Sequence, residues 1–162
     1  MIVLDANILS YFARLNRLHL LTELFSAPLV SPNTQRELQE GIQQGYVELQ
    51  AALQWIRSGA CQVLTMTAEA QANLPLVGLP PDKGETDSLA YCLTYDIPFM
   101  TNDGRAWRRG RRLGVQCVSL SELLRLFWKR DLLSQEEVRE IIVAMEDGLG
   151  FIIGDQEAIF SP

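Results

Sequence analysis

The sequence predicts an α/β fold: a three-layer α/β/α sandwich around a mainly parallel central sheet. Two observations point there. Short apolar runs of strand length, Ile2-Val3-Leu4, Pro28-Leu29-Val30-Ser31, Pro98-Phe99-Met100-Thr101 and Val115-Gln116-Cys117-Val118, alternate with stretches of helical pattern. The first and third of those runs lead into an acid, Asp5 and Asp103, and an open parallel sheet delivers residues after its strands to one functional edge.

Each element has its own local signal. Ile2-Val3-Leu4 suits a buried parallel strand, and the following ILSYFARL reads as a helix that Asn7 could cap. A second helical stretch, LHLLTELF, runs from Leu18 to Phe25 and carries His19, the one histidine, which is read as structural. After the second strand, Ser31-Pro32 is a helix entry, cap then proline at the first helical position, and NTQRELQEGIQQ follows. Val47 to Ile56 reads as helix and Cys61-Gln62-Val63-Leu64 as a short or edge strand. Thr67 to Asp82 reads as a short helix and a loop rich in proline.

A helix from Glu85 to Tyr95 then leads to the strand ending at Thr101, the turn Asn102-Asp103-Gly104 and an Arg-rich helix. The strand at Val115–Val118 precedes a helix from Ser121 to Trp128, capped by Ser119 or Ser121. Ser134-x-x-Glu137 is a capping box opening a helix that Gly148 stops. Phe151-Ile152-Ile153 reads as a strand and Gln156–Phe160 as a last helical turn. The whole, 1–162, is expected to be one domain in which 126–162 forms a C-terminal helical extension. The apolar face Val138, Ile141, Ile142 and Met145 of that extension needs burial.

Composition narrows the class. Apolar residues make up 48% and charged residues 21% of the 162, an ordinary globular balance. A net charge of −6 argues against a protein that coats nucleic acid by bulk charge. The positive charge is concentrated, however: Arg105, Arg108, Arg109, Arg111 and Arg112 account for five of the 14 Lys and Arg residues. They form either a solvated helix face or a phosphate-gripping patch. Cys61, Cys92 and Cys117 have neither disulfide nor zinc spacing and read as small core residues. No signal-peptide pattern or run of spanning length is seen, so a cytoplasmic protein away from membranes is expected.

The segment Gly84–Asp103 carries the most chemistry. A helix followed by a reversed strand returns its two ends to one edge, so Glu85 and Asp103 can meet there with Asp5. At about 100° per residue, Leu89, Cys92 and Leu93 fall within about 80° of Glu85, and Asp87 falls near 200°. Glu85 is therefore placed inward and Asp87 outward. Each also has a plain alternative: Asp82 with Glu85 fits a capping box, and Asp87 suits the positive end of a helix dipole. Several carboxylates on one edge repel each other and favour a hard, oxygen-liganded dication.

In order and in context, Asp5-x-Asn7 after a strand, a glutamate near position 40, Gly84-Glu85 opening a small-residue helix and Thr101-x-Asp103 resemble the PIN-domain nucleases. The resemblance covers about Met1 to Leu124. It implies a pocket of Asp5, Glu37, Glu85 and Asp103 that holds Mg²⁺ or Mn²⁺, with Asn7 and Thr101 as polar supports. Glu85 and Asp87 compete as third acid, the phase favouring Glu85, and Glu40 competes with Glu37. The same resemblance implies a metal-dependent endoribonuclease acting on RNA, with Arg105, Arg108, Arg109 and Arg112 along the substrate backbone. It further implies the toxin of a toxin–antitoxin pair, a homodimer blocked by a small antitoxin protein. The alternative is a non-catalytic nucleic-acid-binding or regulatory module on the same fold.

Overall fold

The computed structural model describes all residues, 1–162. Five parallel strands, β1 (Ile2–Leu4), β2 (Pro28–Val30), β3 (Gln62–Val63), β4 (Phe99–Met100) and β5 (Cys117–Val118), lie in the order β3-β2-β1-β4-β5. The chain builds outward from β1 on one side and then crosses to β4 on the other. Strand order therefore reverses beside β1, where such sheets hold their ligands beyond the carboxyl ends.

Register divides the core. Val3 lies opposite both Leu29 and Phe99, and Phe99 opposite Cys117, so these four share one face of the sheet. That face packs under α5 (Ala68–Val77), α6 (Gly84–Tyr95) and α7 (Gly104–Arg112), through Val77, Leu89, Ala90, Cys92 and Ala106. Ile2, Leu4, Val30 and Met100 point to the larger core. Into it pack α1 (Ala6–Arg14), α2 (His19–Leu24), α3 (Pro32–Gln43), α4 (Gln50–Arg57), α8 (Leu120–Lys129), α9 (Gln135–Leu149) and α10 (Gln156–Phe160). The result is a three-layer α/β/α sandwich. No helix is long and apolar enough to cross a membrane.

The tail finishes this core. Val138, Ile141, Ile142 and Met145 of α9 are buried in the same cluster as Phe12, and Phe127 meets Phe12 edge-on at 5.8 Å. Burying each such side chain contributes about 1.5–3 kcal/mol, ample reason for the helices to dock. Arg125 fastens the end of the chain by donating to the carbonyls of Ala158 and Ser161, both at 2.7 Å.

Several local expectations are corrected. Asp5, not Asn7, caps α1, because its carboxylate accepts from Ala6 N at 2.9 Å. No capping box forms at α6: Lys83 occupies the cap position without a side-chain bond, and Asp82 has a left-handed φ of 58°. The helix α9 runs past Gly148 to Gly150, whose φ of 71° ends it. Phe151–Ile153 forms no strand; Ile153 instead buries its side chain against the larger core.

The helices α3 and α6 approach so closely that only glycine fits at position 84. A Cβ there would overlap Thr34 Oγ1 and lie 3.1 Å from the Thr34 backbone. Gly84→Ala should therefore destabilise the protein by about 1–3 kcal/mol, the usual cost of overpacking. The denaturation midpoint measures it, and an unchanged midpoint would show that the two helices separate freely.

Candidate acidic site and basic helix face

Beyond the carboxyl end of β1 stands Asp5, with its side chain held by three donors. Its Oδ1 accepts from Ala6 N at 2.9 Å, and its Oδ2 accepts from Asn7 Nδ2 at 2.9 Å and Thr101 Oγ1 at 2.5 Å. Thr101 follows β4, so its hydroxyl joins the two central strands across their ends. The same oxygen accepts from Asp103 N at 3.0 Å, and Asn7 Oδ1 accepts from Asn102 N at 3.1 Å. Asp103 caps α7 by accepting from Ala106 N at 2.7 Å through Oδ1, which leaves Oδ2 free.

The second pair of acids comes from the α3–α6 contact. Ser31 caps α3, accepting from Thr34 N at 3.0 Å, and its hydroxyl donates to Gly84 O at 3.3 Å. One turn and a half along α3, Glu37 Oε1 accepts from Gly84 N at 2.9 Å. A glutamate from a neighbouring helix thus satisfies a free N–H at the start of α6, in the place expected of Asp82. Glu40 is exposed and pairs with Arg36 at 3.6 Å, so of the two it is Glu37 that faces α6.

Electrostatics tie these acids together. Burial pushes the Asp5 carboxyl up to about 7; the Thr101 hydrogen bond opposes the rise, and the charges of Glu85 and then Glu37 add to it. Asp5 therefore senses Glu85 and Glu37, while the Asp103 backbone N–H is linked to Asp5 through the Thr101 hydroxyl. Asp87 lies further along α6, where Glu37 is the weakest of the charges acting on it. It is buried, contrary to the outward phase expected, and accepts from Asn33 Nδ2 at 2.7 Å. Its carboxyl is raised by burial, with the Asn33 bond opposing. The single-face expectation fails because α6 is covered by α5 as well as by α3 and the sheet. Asp87 instead lines a crevice of about 290 Å³ beside Leu74, Pro75 and Thr86.

The donor set suits a hard dication: all-oxygen, anionic, with free oxygens on Glu85, Glu37 and Asp103, and no cation paired to any of them. As the side chains stand, no group of three or more His, Cys, Asp or Glu residues is disposed to hold a metal ion.

Next to the acids, Arg105, Arg108, Arg109 and Arg112 line a groove of about 370 Å³ with Gly78 and Leu79. They are not equivalent. Arg109 Nε donates to Val77 O at 2.5 Å and its NH2 to Leu76 O at 2.6 Å, capping the last carbonyls of α5. Arg109 thus braces the groove wall that it also lines. Arg111 stacks over Trp107 at 5.7 Å. Arg105, Arg108 and Arg112 make no ion pair within the chain.

The family model described as PIN domain matches residues 1–158. The chain belongs to the PIN-domain family. PIN domains are generally nucleases, so this fold supports a hydrolase of nucleic acid, and PIN nucleases typically use divalent metals. No curated protein matches the chain. Within this PIN domain, sequence reasoning overlooked Asn33, the partner of Asp87, and Tyr11, whose hydroxyl accepts from Asn102 Nδ2 at 3.3 Å. The signal for Tyr11 was present, since it stands four residues beyond Asn7 on one face of α1.

The Asp5 carboxyl titrates from 3.8 in the unfolded chain to about 7 in the fold. The native state holds the proton more tightly, so Asp5 lowers stability as pH rises through that window, by at most about 1.4 kcal/mol per unit. In metal-free protein, Asp5→Asn should flatten this dependence and raise the melting temperature at pH 8. Equal pH profiles for both proteins would contradict it.

Proposed function

We propose that this PIN domain is a metal-dependent endoribonuclease that hydrolyses RNA phosphodiester bonds at Asp5, Glu37, Glu85 and Asp103. The observation carrying it is the unpaired acid group at the strand-order reversal: a buried carboxyl raised to about 7, sensing two glutamates, with no ion pair to any of the four acids. These four residues would hold Mg²⁺ or Mn²⁺, which when bound supplies an activated water and charge stabilisation for in-line displacement. Asn7 and Thr101 fix Asp5 in one orientation through their hydrogen bonds. The free guanidinium groups of Arg105, Arg108 and Arg112 would receive backbone phosphates leaving the acids along α7. A toxin role, a small antitoxin partner and a homodimer are part of this reading through the family resemblance. Asp87, the competing candidate ligand by sequence, ranks behind Glu85 here, because its Oδ2 accepts from Asn33 and it lines a separate crevice.

One observation favours the non-catalytic reading: no three carboxylates are arranged for an ion as they stand. Incubation with mixed RNA in Mn²⁺, Mg²⁺ or EDTA decides between the two. Cutting should need the metal and fall about 10²-fold or more in Asp5→Asn and Asp103→Asn, several kcal/mol of transition-state stabilisation. Metal-independent RNA binding without cutting, unchanged in both variants, would establish the binding module.

The arginines make a separate prediction. Replacing Arg105, Arg108 and Arg112 by Ala should make the salt slope of single-strand binding shallower by about 2, at roughly 0.7 per phosphate contact. Arg109→Ala should mainly lower thermal stability, because its bonds are internal. A salt slope changed by Arg109→Ala at unchanged melting temperature would reverse that assignment.

A further inference from the structure

We propose that Tyr11 and Phe151 form a stacking shelf for an unpaired base of a single-stranded RNA whose backbone lies at the acidic site. The proposal rests on the nuclease reading and adds to it a contact that selects unpaired substrate. Four residues along α1 carry the chain about 6 Å from Asn7 to Tyr11 on the same face. Asn7 holds Asp5 and the Asn102 backbone, and Asn102 Nδ2 donates to the Tyr11 hydroxyl at 3.3 Å. The ring is thereby fixed at the rim of the acids.

Phe151 reaches it from the other end of the chain. Gly150, at φ 71°, turns the backbone out of α9, and the Phe151 ring settles 4.8 Å from Tyr11 at a tilt of 37°. Both rings are half-buried: they pack against the larger core and keep part of their surface open. Beside them Ile152 is 85% exposed. This apolar spot adjoins an edge otherwise made of carboxylates, amides and a hydroxyl.

The position suits a base. Tyr11 packs on one side of the sheet and α7 on the other, with the acids between them at the strand ends. A strand crossing the acids can lay phosphates against Arg105 and Arg108 and a base against the rings. Every base has a π face, so stacking of this kind tolerates sequence. In an A-form duplex the bases are held inside the helix, so only an unpaired one reaches the shelf.

Anisotropy titrations in EDTA, where no cutting occurs, test this with a labelled single-stranded RNA of about ten nucleotides and its abasic counterpart. The full-length protein should prefer the base-containing strand by about tenfold. In Tyr11→Leu and in Phe151→Leu that ratio should fall to about one, with abasic binding unchanged. Each ratio compares two ligands on one sample, so partial misfolding cancels. A ratio of one in the unaltered protein overturns the shelf and leaves the apolar spot to a protein partner. Equal loss on both strands in the variants also overturns it, in favour of a structural role. A parallel Mn²⁺ cleavage assay separates the two readings: cutting with a ratio of one sinks the shelf alone. A preserved ratio without cutting sinks the nuclease alone.

Discussion

Asp5 sits where the central strand of the sheet stops, buried and without a cation. Three donors hold it, yet burial still pushes its carboxyl up to about 7. Everything around the site answers to that carboxylate. Thr101 bridges it to the neighbouring strand, Asn7 locks the bridge, and two glutamates delivered by the α3–α6 contact complete an anionic edge. Asp5 is the buried member of the group, and taking its carboxylate out of water beside two like charges costs more than its hydrogen bonds return. The site's own electrostatics therefore argue for a ligand of opposite charge.

Much of this was legible in the sequence, and the part that was not has a physical pattern. Buried parallel strands are continuous apolar runs, so β1, β2, β4 and β5 announced themselves, as did the acids after two of them. What failed were features decided by tertiary contact. Asp87 was placed outward on the assumption that α6 has one covered face; α5 and α3 cover it from further sides. Asp82 and Glu85 spell a capping box, but Glu37 of another helix takes the Gly84 N–H. Arg109 is indistinguishable by spacing from Arg108, and only the position of α5 makes it a brace. Helical phase assigns a residue to a direction; what stands in that direction is set by the rest of the chain.

The acid edge and the arginine face are held by different means. Around Asp5 the acid edge is fixed by hydrogen bonds among the short side chains of Asp5, Asn7 and Thr101, which lose little conformational freedom when ordered. The arginine face depends on α7, whose N-terminus is capped by Asp103 itself. One residue thus sets both the last acid of the site and the start of the basic helix, so their relative placement cannot drift. Gly110 presses α7 down further, leaving no room for a side chain beside Cys117 and Leu89.

The bond between Thr101 and Asp5 spans 96 positions in the chain. During synthesis at about 5–20 residues per second, Asp5 emerges roughly 5–20 s before the residue that holds it. β1 cannot gain its second neighbour, nor the acid edge its full complement, until β4 and the start of α7 have left the ribosome. The acid edge is thus a late product of synthesis, assembled from strands that lie far apart in the chain and side by side in the sheet.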